Sequence, residues 1–215
     1  MKIQQKNIIF DLDGTLINSM PIWDNIGRNF LLSKGVNPPD DLEEKFEKMS
    51  FEESAQYFID EFNLKMTVKE IIGEIIKSVE EKYIKEIPLK NSVYEFLEFM
   101  KKEGKKMCLL TASEEAYVYP ALERLKIKDF FQNIFTCSSL GMSKSRSDIY
   151  DTAAEKCGFK KEDTAVFEDA LHAVENAKKA GFFVYAVYDA HEEKNSALIK
   201  EIADVYLNSF DEIIG

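Results

Sequence analysis

Residues Ile8, Ile9, Phe10, Asp11, Leu12, Asp13, Gly14 and Thr15 constrain this 215-residue chain most, because an apolar strand ends there in two closely spaced carboxylates. In extended backbone the side chains alternate between faces, so Asp11 and Asp13 are predicted on one face and Phe10 and Leu12 on the other. Two like charges about 4 Å apart repel by about 4 kcal/mol at an effective dielectric of about 20. A bound cation, or a proton kept on one carboxyl, offsets that repulsion, and either device makes a catalytic site. Gly14 frees the backbone to turn, and Thr15 brings a hydroxyl beside the acids. Aspartates that merely cap the next turn would explain an isolated Asp-x-Asp. They explain less well one set between an apolar run and Gly-Thr.

The length suits one large domain, or a domain carrying a substantial insertion. With 45% hydrophobic and 31% charged residues, the composition is that of a soluble globular protein rather than a disordered or membrane one. No apolar run approaches a membrane span, and Met1 to Lys6 leads into the strand without a signal-peptide hydrophobic region. The expected location is the cytoplasm. Cys108, Cys137 and Cys157 are widely spaced in apolar or helical contexts, which points to reduced packing residues rather than a disulfide or zinc site. A net charge of −11 argues against nucleic acid and against anionic membrane as partners. A small anionic substrate stays compatible, provided that a metal ion and a lysine make the pocket locally positive. The run Glu43, Glu44, Lys45, Glu47, Lys48 reads as a solvated helical face.

From Pro21 to about Glu86 the pattern is helical throughout. Trp23, Ile26, Phe30 and Leu31 recur at helical spacing, and Ser50 with Glu53 and Thr67 with Glu70 read as capping boxes opening two further helices. After Pro88, helices alternate with short apolar strands. Strands are predicted at Asn7 to Phe10, Lys106 to Leu110, Asn133 to Cys137, Thr164 to Phe167, Phe183 to Val187 and Val205 to Leu207. The helices between them are predicted at Val93 to Lys102, Glu114 to Lys126, Asp148 to Cys157 and Leu171 to Lys179. This alternation implies an α/β fold, a doubly wound parallel sheet with helices on both faces. Residues 1–17 and 87–215 then form an α/β core domain, and 18–86 an inserted α-helical cap domain.

In open parallel sheets the ligand site lies at the carboxyl ends of the strands. Asp11 and Asp13 follow the first strand, Thr111, Ala112 and Ser113 the second, and Glu168 and Asp169 the fourth, while Lys144 lies in the loop after the third. Each has an ordinary explanation: Ser113 and Ser147 as helix caps, Lys144 as a solvated loop lysine, Glu168 and Asp169 as acids at a helix start. Convergence on one rim is what those separate explanations leave out.

In order and spacing, Asp-Leu-Asp-Gly-Thr at 11–15, Leu-Leu-Thr-Ala-Ser at 109–113, Lys144 and Phe-Glu-Asp at 167–169 resemble the four motifs of the haloacid dehalogenase superfamily. The likeness is to its subfamily I phosphatases, whose helical cap is inserted after the first motif. It implies a Rossmann-like core and a Mg²⁺-dependent phosphatase. Asp11 would attack phosphorus, and Asp13 would protonate the leaving oxygen and then activate water. Mg²⁺ would be held by Asp11, the Asp13 carbonyl and Asp169, with Glu168 beside it or acting through water. Thr111, with Ala112 and Ser113, would contact a phosphoryl oxygen, and Lys144 would neutralise developing charge. The implied partner is a small phosphorylated metabolite, and the chain a monomer or weak dimer.

An acid at position 13 favours phosphoryl transfer over dehalogenation, because a halide leaves without a proton. Resemblance to β-phosphoglucomutase is weaker, since Trp23 and Phe51 stand where such mutases carry a histidine and a basic cap residue. Trp23 and Phe51 would instead give the cap an apolar face toward substrate, or pack its own core. Arg28, Lys45 and Lys48 are further cap cations, with solvation as their default role. The family pattern is incomplete elsewhere: Ser145 and Ser147 replace prolines after Lys144, Ala170 and Ala173 replace Ser and Gly after the fourth motif, and Asn91-Ser92 replaces Pro-Gly. These departures leave open a phosphohexomutase or a catalytically impaired binding relative. His172 and His191 are assigned ordinary surface or packing roles.

Overall fold

The computed structural model describes residues 2–46 and 49–214, so Glu47 and Lys48 lie outside the described residues. The strands are β1 (Asn7–Phe10), β2 (Lys106–Thr111), β3 (Asn133–Thr136), β4 (Thr164–Glu168), β5 (Phe183–Val187) and β6 (Val205–Leu207). The helices are α1 (Met20–Asp24), α2 (Ile26–Ser33), α3 (Leu42–Phe46), α4 (Phe51–Phe62), α5 (Val68–Lys85), α6 (Val93–Lys102), α7 (Glu115–Arg124), α8 (Cys137–Leu140), α9 (Asp148–Cys157), α10 (Leu171–Lys179), α11 (Ser196–Ile202) and α12 (Asp211–Ile214). None of them is long and apolar enough to cross a membrane.

The six strands form one all-parallel sheet in the order β3-β2-β1-β4-β5-β6. Strand alternation sorts its side chains into two cores. Ile8, Phe10, Met107, Leu109 and Phe167 pack under α6, α7 and α12, whereas Ile9, Cys108, Leu110, Val166 and Val184 pack under α9, α10 and α11. Both faces are therefore covered, which explains why these strands read as continuous apolar runs. The strand order reverses between β1 and β4, and their carboxyl ends open the crevice where such folds bind ligands. The Asp11 amide donates to the Phe167 carbonyl at 2.9 Å, carrying the β1–β4 pairing into the first acidic residue.

Helices α1 to α5 interrupt the chain between β1 and α6, and Phe30, Leu31, Leu42, Ala55, Phe58, Ile71 and Ile75 form a third cluster among them. Both capping boxes form, with Ser50 and Glu53 opening α4 and Thr67 and Glu70 opening α5. The chain leaves and re-enters the sheet layer through two crossing segments that pair: Ile17 bridges Leu89 antiparallel, Asn18 N–H donates to Pro88 O at 3.0 Å, and Lys90 N–H to Leu16 O at 2.9 Å.

Several local expectations need correction. Strand β3 stops at Thr136, whose side chain caps α8, so Cys137 is helical. Helix α7 ends at Arg124, because Lys126 takes a left-handed φ of 59°. Ser147 has helical dihedrals and makes no capping bond, and Glu114 rather than Ser113 stands at the start of α7.

Ser92, at the start of α6, has φ 61° and no capping hydrogen bond from its side chain. A left-handed backbone costs an ordinary residue roughly 1–2 kcal/mol, whereas glycine takes it freely and loses more entropy on folding. Ser92→Gly is expected to stabilise the protein by about 0.5–1 kcal/mol, raising Tm by about 1–3 °C in a thermal melt.

Candidate active site

Two groups of side chains adjoin at the carboxyl ends of β1, β2 and β4. The first holds Asp11, Lys144, Glu168 and Asp169, all buried, with Asp11 and Lys144 each 6% exposed. Lys144 Nζ donates to Asp11 Oδ1 and, at 2.7 Å, to Glu168 Oε1. Glu168 Oε1 also accepts from the Tyr150 hydroxyl at 2.9 Å, and Asp169 Oδ1 from Thr15 Oγ1 at 2.7 Å. Asp11, Glu168 and Asp169 offer carboxylate oxygens that all lie within 4.8 Å of one another, and Asp11 Oδ2 is buried without a partner.

The electrostatics follow from this crowding. Burial pushes the Asp11 carboxyl up to about 7; the Lys144 charge opposes that rise, and Glu168 and Asp13 add to it. Asp169 is pushed well above the usual carboxylate range by burial and then by Asp11 and Glu168, against the Thr15 hydrogen bond. Burial works against the charge on Lys144, yet the Asp11 and Glu168 carboxylates outweigh it and hold the ammonium above its ordinary range. Three carboxyl groups thus crowd together where a single ammonium pairs with Asp11 and Glu168 alone, and with all three ionised the cluster is two positive charges short. An unpartnered buried oxygen, an all-oxygen donor set and that deficit fit a hard divalent cation such as Mg²⁺.

The second group surrounds Asp13. Its Oδ1 accepts from Ser19 Oγ at 2.8 Å and from the Tyr83 hydroxyl, and its Oδ2 from Ser113 Oγ at 2.8 Å and Thr111 Oγ1 at 3.2 Å. The two aspartates that alternation predicts on one face therefore engage separate partners, one a lysine and the other hydroxyls. Thr111 and Ser113 turn to Asp13 in this structure, with Ala112 exposed between them. Trp23 joins the group indirectly, its Nε1 donating to the Tyr83 hydroxyl at 2.9 Å. Phe51 is 48% exposed at the first position of α4. Arg28 pairs with Glu43 and the Pro39 carbonyl, and Lys45 with Asp41, all within the inserted helices.

Backbone placement supports both groups. Gly14 has φ +81°, and a Cβ there would fall 2.3 Å from Asp169 Oδ2, so glycine is required both for the turn and for the close approach. Lys90 Nζ donates to the Gly14 and Tyr188 carbonyls and, at 3.0 Å, to Asp189 Oδ2, pinning the first acidic loop to the segment after β5. The loop bearing Lys144 lacks prolines but is held by Asn176 Nδ2, which donates to the Lys144 carbonyl at 3.0 Å. Tyr83, Ser19, Tyr150, Asn176 and Lys90 are the residues that sequence reasoning missed. Tyr83 carried one signal, a hydroxyl at the end of an otherwise apolar helical stripe.

Comparison with known proteins gives this arrangement a lineage. The sequence pattern of the family described as haloacid dehalogenase-like hydrolase matches residues 8–187. A phosphorylated carbohydrates phosphatase of Thermotoga maritima is 27% identical over 97% of this chain and 96% of its own length. Hexitol phosphatase B of Escherichia coli is 28% identical over 95% and 92% respectively. Among solved structures, a Thermotoga maritima protein proposed to be a β-phosphoglucomutase superposes with a TM-score of 0.84 at 24% identity, covering 97% of this chain and 96% of that one. A hydrolase of the same family from Deinococcus radiodurans, with bound phosphate and sodium, gives 0.77 at 19% identity over 97% and 93%. The match spans most of the chain, including both acidic ends of the site: the protein belongs to the haloacid dehalogenase-like hydrolases.

Proposed function

We propose that this hydrolase is a Mg²⁺-dependent phosphatase acting on a small phosphorylated sugar or polyol through an aspartyl-phosphate intermediate on Asp11. The observation that carries the reading is the Asp11 carboxylate itself, one oxygen held by Lys144 and the other buried and unpartnered beside Glu168 and Asp169. The names of the two relatives, a phosphorylated carbohydrates phosphatase and a hexitol phosphatase, support the substrate class.

In the first half-reaction an Asp11 oxygen bonds to phosphorus while the bond from phosphorus to the alkoxy oxygen breaks. Asp13 gives its proton to that leaving oxygen. In the second, water bonds to phosphorus, its proton passes to Asp13, and the bond from phosphorus to Asp11 breaks, releasing inorganic phosphate. Lys144 lowers the repulsion between the anionic nucleophile and the anionic ester. Mg²⁺, held by Asp11 and Asp169 with Glu168 beside them and the Asp13 carbonyl as a further ligand, would supply additional positive charge for the transferring phosphoryl group. Residues 18–86, with their own apolar cluster, act in this reading as a cap domain that excludes water from the first step. Trp23 and Phe51 belong to that cap.

The test is hydrolysis of a panel of sugar, polyol, nucleotide and glycerol phosphates with and without Mg²⁺. Sugar or polyol phosphates are expected to turn over only with the metal, and Asp11→Asn to lower the rate by on the order of 10³-fold or more; unchanged turnover would sink the proposal. Mg²⁺ near one hundred times its dissociation constant should stabilise the wild type by about 2.7 kcal/mol over EDTA, read as a rise in Tm that Asp169→Asn removes. Gly14→Ala, which drives a methyl group against Asp169, should lower Mg²⁺ affinity or activity by about 10- to 100-fold.

A further inference from the structure

The hydroxyls around Asp13 come from two parts of the molecule. Thr111 and Ser113 follow β2 in the core, whereas Ser19 precedes α1 and Tyr83 lies near the end of α5, both in the segment inserted after β1. Burying the Tyr83 ring against Trp23, at 6.4 Å, and Tyr117, at 4.6 Å between centroids, explains an aromatic residue there. It does not explain why the hydroxyl points at a carboxylate already served by three others.

Tyr83 is also held more firmly than packing alone requires. Arg124 of α7 donates to the Tyr83 carbonyl at 3.0 Å and to the Ile87 carbonyl, fastening the last turn of α5 to the core. The Tyr83 hydroxyl accepts from Trp23 Nε1 at 2.9 Å and lies 3.4 Å from Ser113 Oγ, but its closest partner is Asp13 Oδ1, a carboxylate oxygen that only accepts, so its own hydrogen goes there. Trp23, Tyr83 and Asp13 thus form a chain of hydrogen bonds running from α1 through α5 to the acid. A carboxyl group delivering a proton needs its oxygen within hydrogen-bond reach of the leaving group, and misplacement by about 1 Å can cost about 10²-fold in rate.

We infer that Tyr83 is a positioning residue for Asp13, its hydroxyl fixing the carboxyl rotamer from which the leaving oxygen is protonated. The inference rests on the proposed role of Asp13 as general acid, and it adds a residue of the inserted helices to the proton-transfer apparatus. An alkoxide leaving group needs that proton, whereas p-nitrophenolate leaves largely without it. A fault in aiming Asp13 therefore penalises alkyl esters selectively, while a packing fault or a loss of metal penalises both kinds.

The experiment compares wild type, Tyr83→Phe and Ser19→Ala on a sugar phosphate and on p-nitrophenyl phosphate with saturating Mg²⁺. The quantity read is kcat/KM, which reports the steps through departure of the leaving group. Tyr83→Phe keeps the ring and removes the hydroxyl. It is expected to lower kcat/KM for the sugar phosphate by about 10- to 100-fold and for the aryl ester by less than about 3-fold. Ser19→Ala, which removes the other donor to Oδ1, should show the same selectivity and serves as the second variant if Tyr83→Phe does not fold. Equal losses on both esters, no loss on either, or a gain on the sugar phosphate would overturn the inference while leaving the phosphatase reading standing. Absence of Mg²⁺-dependent hydrolysis of both esters by the wild type would remove that reading, and the inference with it.

Discussion

Three carboxyl groups crowded together at the ends of β1 and β4, two of them paired with the Lys144 ammonium, are the constraint on which the rest of this structure depends. Taking such groups out of water costs several kcal/mol each, and their mutual repulsion adds to the cost, so the arrangement persists only where the surrounding chain holds it. Much of the local architecture serves this end. Thr15 and Tyr150 give hydrogens to two of the acids, Gly14 stays without a side chain so that Asp169 can approach, and Asn176 holds the loop carrying Lys144. The sheet order matters for the same reason. Placing β1 beside β4 brings acids distant in sequence onto one crevice, which a sheet wound in simple chain order would not do.

Asp11 and Asp13, two residues apart, occupy contrasting surroundings. Asp11 lies among charges, with a carboxyl pushed up by burial and pulled down by a lysine. Asp13 meets neutral hydroxyl donors on both oxygens. Environments that differ this much are how one site assigns different work to like side chains. They also show why the repulsion suggested by the sequence does not dominate: each acid has its own counter-groups, lysine for one and dipoles for the other.

The sheet was legible because each strand is short and mainly apolar in its interior, with polar residues at or near its ends in β1 to β4, and for β1, β5 and β6 the predicted bounds coincide with the observed ones. The rim was legible for a related reason: fold class alone says that the residue after a parallel strand faces the ligand. The residues that escaped share a different property. Tyr83 belongs to the apolar stripe of α5 through its ring, so helical periodicity files it as core and says nothing about where its hydroxyl points. Ser19 and Lys90 lie in the two crossing segments and Asn176 on α10, and helical or strand periodicity assigns none of them a partner. Ser147 fails in the opposite sense: its sequence position suits a cap, but its backbone is helical rather than extended and its side chain makes no capping bond.

The crossing between sheet and insertion connects these observations. Its two segments pair with each other through Ile17 and Leu89, and the returning one carries Lys90 beneath the Asp11–Gly14 turn, where the ammonium bonds the Gly14 carbonyl. The outgoing one carries Ser19 to Asp13 within a few residues of the same turn. The acidic loop is therefore built from both sides of the crossing, and the inserted helices cannot be repositioned without disturbing groups that touch it. In a fold whose sheet is shared by many chemistries, residues 18–90 thus contribute directly to the surroundings of the acidic loop. The core supplies the carboxylates, the lysine and two of the hydroxyls on Asp13, those of Thr111 and Ser113, while the insertion supplies the other two, from Ser19 and Tyr83, with Trp23 bonded to Tyr83.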